Sequence, residues 1–274
     1  MDYLTLKKQV LNKYFSRTND MQKKAVFRIN GAVLIVAGAG SGKTTVLCNR
    51  IANMLLFGNA YNSNTVRELS DDDVAFAQSF LAGAIDNFDA AERLSEIFGE
   101  DRVKPWNILA VTFTNKAARE MKERIARQVG MERARYLWMG TFHSIFSRIL
   151  RAEATFIGFT SQFTIYDTAD SKSLLRSIIK EMGLDEKTYK PGVVQARISN
   201  AKNHLVTPTG YAANKEAYEG DMAAKMPAIR DIYTRYWDRC RQAGAMDFDD
   251  LLVYTYILFR DFPEVLARYR DQFR

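Results

Sequence analysis

One stretch constrains this 274-residue chain more than any other: Val33-Leu34-Ile35-Val36-Ala37-Gly38-Ala39-Gly40-Ser41-Gly42-Lys43-Thr44-Thr45. A short β-branched apolar run leads into a glycine-rich turn. Lys43 and Thr44 then open a segment whose Leu47, Ile51, Met54 and Leu55 share one helical face. Strand, glycine loop and helix in that order read as a phosphate loop. Gly38, Gly40 and Gly42 let the backbone bend until its N–H groups converge on phosphate oxygens, and the helix adds its positive N-terminal end. Lys43 is placed to reach β- and γ-phosphates, and the Thr44 hydroxyl to ligate Mg²⁺. Ala37, Ala39, Ser41 and Thr45 complete the expected nucleotide cradle, with Ala37 standing where the pattern's first residue is a glycine.

Two more apolar runs, 108–113 and 138–142, are expected to be strands followed by helices, as is 33–36. That alternation predicts a parallel sheet with helices on its faces and ligands at the carboxyl ends of the strands. Thr112-Phe113-Thr114-Asn115 and Gly140-Thr141-Phe142-His143 are the tips of the second and third runs. An aromatic ring beside hydroxyl, amide or imidazole groups suits single-stranded nucleic acid. Strand ends also cap the helices that follow them, and each tip alone fits that plainer role. Gln22 follows a helix start at Asn19 or Asp20; its amide can pair with the N6 and N7 edge of adenine or simply be solvated.

Charge is unevenly spread. Residues 58–105 hold ten acids against four bases, a balance of −6, which leaves +13 for the rest of a chain whose formal charge is +7. This segment reads as an acidic insertion, with one helix capped by Asp71-Asp72-Asp73 and a second over 88–98. A basic body beside it permits an anionic partner that avoids 58–105. Beyond about residue 150 the pattern turns helical. A short strand at 163–166 precedes a helix over 169–182 capped by Asp167. Another helix runs from Pro191 to about Asn203, a turn follows at 207–210, and a long helix over 214–243 is started or kinked at Pro227. Tyr233, Tyr236 and Trp237 read as core, while the neighbouring arginines are either solvated or track phosphates. In Met246-Asp247-Phe248-Asp249-Asp250, Asp247 or Asp249 is expected to cap a helix through 260, and a final helix runs from Pro263 to Phe273. Cys48 and Cys240 lie in helical patterns, as suits a reducing cytoplasm. His143 and His204 show no ligand pattern, so no zinc is expected. No apolar run approaches membrane-spanning length.

With these residues in view, the chain resembles the UvrD/Rep/PcrA group of superfamily-1 DNA helicases. Asn19-Asp20-Met21-Gln22-Lys23-Lys24-Ala25-Val26 looks like that group's Q motif, and 37–45 like its phosphate loop, with Ala37 where the family usually has it. Residues 110–118 are similar to motif Ia, 140–144 to motif Ib, and 246–252 to the segment where the chain returns from subdomain 1B to 1A. The resemblance implies an α/β fold. An incomplete RecA-like P-loop parallel sheet forms the first part of subdomain 1A over 1–145. A mostly helical subdomain 1B is inserted over 146–243, and 244–274 return to 1A. It implies ATP and Mg²⁺ as cofactors, Gln22 as adenine reader, and Thr112, Phe113, Thr114, Asn115, Thr141, Phe142 and His143 as contacts to single-stranded DNA near single/double-strand junctions.

Two departures stand out. The 58–105 segment is longer than the family's usual connection, and the chain stops where the family's helix immediately precedes the strand carrying the Asp-Glu Walker B motif; no apolar strand followed by Asp-Glu is present. The resemblance therefore implies the amino-terminal part of a monomeric, cytoplasmic 3′-to-5′ helicase of repair or replication. Its carboxyl-terminal domains are missing, so this piece is expected to be inactive alone. A non-catalytic single-strand-binding module is the alternative. A P-loop small-molecule kinase is a more distant one, against which the two tips and the basic body speak.

Overall fold

The computed structural model describes residues 2–38 and 40–273; the expected cradle residue Ala39 lies outside the described residues. The chain divides into two compact units, residues 1–141 with 272–274, and residues 142–271.

The first unit opens with α1 (Tyr3–Tyr14), whose N-cap Asp2 accepts a hydrogen bond from the Thr5 N–H. Its Leu6, Val10, Leu11 and Tyr14 are buried at helical spacing. After α2 (Asp20–Phe27) and α3 (Lys43–Leu56), an aromatic core is complete. Tyr14, Phe15, Phe27 and Phe57 meet edge to face with ring centroids 5.1–6.1 Å apart, an arrangement favoured by the ring quadrupole. On α3 the expected face is only partly realised: Ile51 and Leu55 are buried, whereas Leu47 is exposed.

The acidic insertion is part of this core, not an appendage on it. It forms α4 (Asp71–Ala82) and α5 (Asn87–Phe98). The cap of α4 is Ser70, one residue ahead of the expected acidic triplet, in a reciprocal capping box with Asp73. Phe80, Leu94 and Phe98 are fully buried, while the acids are exposed except for the half-buried Asp73 and Glu100. The insertion closes on itself at Gly58, where the Asn59 N–H donates to the Glu100 carbonyl at 2.8 Å and the Glu100 N–H to the Phe57 carbonyl at 3.0 Å. Gly58 has φ +58°, and a Cβ there would sit 2.0 Å from the Glu100 carbonyl oxygen. Replacing Gly58 with alanine should therefore cost at least about 2 kcal/mol, read as a lower urea midpoint; an unchanged midpoint would mean the two backbones separate easily.

Next come β1 (Leu109–Thr112), α6 (Asn115–Val129), the short α7 (Met131–Arg135) and β2 (Trp138–Thr141). The α7 helix was not anticipated. β1 and β2 pair in parallel, with Leu109 opposite Trp138 and Thr112 opposite Thr141. The expected first strand is a correction. Residues 33–36 carry no regular secondary structure, and alternate half-buried Val33 and Ile35 with Leu34 and Val36, which are 88 % and 87 % exposed. The run keeps strand composition and strand periodicity, but a strand also needs a hydrogen-bonded neighbour, and none lies beside it among the described residues.

The second unit contains α8 (Phe142–Ala152), β3 (Thr164–Tyr166), α9 (Thr168–Glu181), α10 (Pro191–Asn203), α11 (Pro208–Ala213), α12 (Lys215–Ala223), α13 (Ile229–Gln242), β4 (Ala245–Asp247), α14 (Phe248–Asp261) and α15 (Pro263–Gln272). Phe142 opens a helix where the sequence reading had it ending a strand. The expected turn at 207–210 instead starts α11, with Thr207 as its cap. The expected long helix over 214–243 is two helices. α12 ends before Pro227, and Lys225 just past its C-cap takes the left-handed φ of +57° that closes a helix C-terminus. β4 was also missed; it pairs in parallel with β3, Tyr166 opposite Asp247. Tyr233 and Tyr236 are core, with Leu175, Ile179, Val194 and Ile232, while Arg235 and Arg241 are exposed.

Candidate functional site

α3, like α10 and α13, has no side-chain cap, and of these three it alone is entered through a glycine at positive φ. Asp2, Asn19, Ser70, Asp86, Thr114, Asp167 and Asp247 each cap a helix with a side-chain oxygen. At α3 the N-cap is Gly42, at φ +82°, with no side-chain cap. The first-turn N–H groups of α3 therefore keep their donors for something other than a cap. An anion is what such a terminus takes.

Around this terminus the loop is held from two sides. Lys43 Nζ donates to the Ala37 carbonyl at 2.7 Å and the Gly38 carbonyl at 2.6 Å. The Ser41 hydroxyl donates to the Gly38 carbonyl at 2.7 Å, and Gly40 has φ +76°. Gln22 links α2 to the loop. Its Oε1 accepts from the Asn19 N–H at 3.1 Å, and its Nε2 donates to the Ser41 carbonyl at 3.1 Å. A Cβ on Gly42 would come within 3.0 Å of that Nε2, so glycine is needed there for close approach as well as for its dihedral. One amide proton and one lone pair of Gln22 remain for a ligand. Lys43 and Thr44 are exposed and Thr45 is half-buried. A cavity of about 260 Å³ beside the loop is lined by Gln22, Val33, Ile35, Ala37, Ser41 and Lys43. An uncapped helix terminus, a lysine on the loop and a free-facing Thr44 hydroxyl fit a magnesium-bound polyphosphate. Lys43 and the α3 N–H groups would hold phosphates and Thr44 would give the metal one oxygen.

The two strand tips have different fates. Thr112 donates its hydroxyl proton to the Thr114 carbonyl at 3.0 Å, and Thr114 Oγ1 caps α6 by accepting from the Ala117 N–H. Both hydroxyls thus meet local backbone partners, and only the Thr114 hydroxyl caps a helix. Phe113 is not core: it is 93 % exposed, and Asn115 beside it is exposed too. Thr141 ends β2 in the first unit. Phe142 and His143 open α8 in the second, where the His143 ring lies 5.7 Å from that of Phe248, edge to face. Phe248 is a residue the sequence reading passed over, because attention fell on the carboxylates around it. The carboxylates themselves meet a partner the sequence did not single out. Lys202 Nζ, fully buried, lies 2.7 Å from Asp247 Oδ2 and 2.7 Å from Asp250 Oδ1. The Tyr236 hydroxyl donates to Asp247 Oδ2 at 2.9 Å. Asp247, not Asp249, caps α14, in a capping box with Asp250.

A family model described as the UvrD/REP helicase N-terminal domain matches residues 18–66 and 90–274. The chain belongs to this family. It is 38 % identical over 256 residues to the ATP-dependent DNA helicase PcrA of Leuconostoc citreum, covering 93 % of this chain and 28 % of that protein. To the ATP-dependent DNA helicase PcrA of Staphylococcus aureus strain Mu50 it is 38 % identical, covering 96 % and 29 %. To the ATP-dependent DNA helicase UvrD1 of Mycobacterium leprae it is 39 % identical, covering 93 % and 27 %. The chain thus spans less than a third of the length of these relatives. The family model passes over residues 67–89, which contain α4 and lie within the expected insertion. No helix among the described residues is long and apolar enough to cross a membrane.

Proposed function

We propose that this chain is the amino-terminal ATP- and DNA-binding portion of a 3′-to-5′ DNA helicase. The observation that carries the nucleotide half is the uncapped, glycine-entered terminus of α3 with Lys43 on its loop. Residues 37–45 cradle the phosphates, Gln22 meets the adenine, and Thr44 holds Mg²⁺. When bound, the metal neutralises phosphate charge during phosphoryl transfer. On this reading the water-orienting acid and the arginines that reach the γ-phosphate belong to the rest of the parent protein. The chain's single Asp-Glu pair, Asp185-Glu186, lies in a turn where Asp185 accepts N–H bonds from Lys187 and Thr188. The β-branched run 33–36, with Leu34 and Val36 exposed, suits the interior of a larger RecA-like parallel sheet whose remaining strands come from that same part.

The DNA half rests, in the first unit, on Phe113 after β1, Asn115 at the start of α6 and Thr141 at the end of β2; Phe142 and His143, at the start of α8 in the second unit, are proposed as contacts in their own right. Single strands stack their bases on such rings while donors hold phosphates. A fluorescent oligothymidylate should bind the chain in a salt-sensitive way. Phe113→Ala should weaken it by about 1–3 kcal/mol, the usual worth of one stacked base. Anisotropy measured at two salt concentrations reads both effects. Equal binding by the chain and Phe113→Ala would remove this ring from the interface, and binding indifferent to ATP–Mg²⁺ would favour a non-catalytic single-strand-binding module instead.

A further inference from the structure

A second cavity in the first unit, of about 610 Å³, shares no lining residue with the one beside the phosphate loop. The turn after α1 gives it Arg17, α3 gives Asn49, α6 gives Arg124 and Arg127, and the start of α5 gives Asp86 and Phe88. Its walls are tied together: Asn87 Nδ2 donates to the Tyr14 carbonyl at 2.7 Å, and the Tyr14 hydroxyl to the Gln128 carbonyl at 3.1 Å.

The charge of this cavity is lopsided. Three guanidinium groups from two segments face it, and none makes an ion pair or hydrogen bond among the described residues. Its lone lining carboxylate, Asp86, is committed to capping α5, with Oδ1 accepting from the Phe88 and Asp89 N–H groups at 2.8 and 2.9 Å. Glu120 and Glu123 stand one turn before Arg124 and Arg127 on α6, where pairing across solvent is weak. Phe88, at the rim, is 55 % exposed. Planar guanidinium forks match phosphate oxygens, and an exposed ring offers a face to a base.

We propose that this cavity binds a phosphorylated nucleotide unit, with its phosphate on Arg17, Arg124 and Arg127 and its base against Phe88. The unit is either a free nucleotide or one nucleotide of a bound strand; the chemistry is the same. The wall at Asp86 and Phe88 falls in the 67–89 segment that the family model passes over, so the site belongs to this chain's insertion. Thr45, the last residue of the glycine-loop segment, also lines this cavity, whereas Lys43 does not.

The test uses the full chain carrying Lys43→Ala, which weakens nucleotide binding at the phosphate loop, titrated calorimetrically with ADP and with 5′-phosphorylated pentathymidylate. At least one probe should bind, and adding Arg124→Ala and Arg127→Ala should weaken it tenfold or more. Phe88→Ala should weaken the same probe and leave pyrophosphate binding unchanged. ADP alone responding would identify a free nucleotide; pentathymidylate responding would identify a strand. All three side chains are exposed, and circular dichroism melts confirm that the variants fold. Absence of binding by both probes would overturn the proposal. So would binding untouched by the arginine substitutions, or pentathymidylate binding lost only with Phe113→Ala.

Discussion

Replacing Lys202 with methionine lowers the stability of the chain by about 3–5 kcal/mol, the cost of leaving buried charge unpaired. Lys202 is wholly buried between Asp247 and Asp250, with its Nζ 4.9 Å from the centre of the Tyr236 ring. One ammonium serves two carboxylates, and their environments separate them. Burial pushes the Asp250 carboxyl up to about 7, against the pull of Lys202 and with Asp247's charge adding to the rise. Burial also raises Asp247, but there the attraction of Lys202 prevails and holds the carboxyl below its ordinary value. The folded protein thus favours the protonated Asp250 carboxyl more than the unfolded chain does. That contribution is complete below the unfolded value and is lost as pH rises through about 7. Urea midpoints of the parent chain should fall between pH 4 and pH 7 through this group, and Asp250→Asn should flatten that slope. Asp250→Asn should also be far milder than Lys202→Met, since it removes the surplus charge and keeps an oxygen for the Asp247 N–H. A loss below about 1 kcal/mol for Lys202→Met would mean the lysine contributes no more than a solvated pair does.

The parts of the fold written in local chemistry were legible in the sequence. Helix starts at Asn19 and Asp167, the strand at 109–112 and the strand at 138–141 all follow from caps and short apolar runs that act within a few residues. Long-range partners were not legible. Residues 33–36 read as a strand because composition and alternation do not reveal whether a neighbour is present. β4 was missed because three residues, Ala245, Met246 and Asp247, carry no periodicity, and their pairing with β3 spans a long separation. The acidic count in 58–105 suggested a segment apart, yet Phe80, Leu94 and Phe98 take it into the core. Lys202 showed no signal because its carboxylate partners lie about 45 residues away. At the candidate site, the glycine turn that opens α3 could be read from spacing alone, and the exposure of Phe113 could not.

The nucleotide claim rests on Lys43, and its removal carries the second large effect. The Nζ holds the loop through the Ala37 and Gly38 carbonyls and is the cation placed to meet phosphate. Hydrogen bonds to a charged group are worth about 1.5–3 kcal/mol, which is roughly 10- to 150-fold in affinity. Because Lys43 and the Ala37 and Gly38 carbonyls it bonds are exposed, water can replace the lost donor and its truncation should lower the urea midpoint only modestly. Binding would then fall without unfolding. The most direct measurement is a calorimetric titration of ATP–Mg²⁺ into the chain and into Lys43→Ala. The account predicts binding by the first, weakened roughly 10- to 150-fold in the second. Equal affinity in both, or binding by neither, would contradict it.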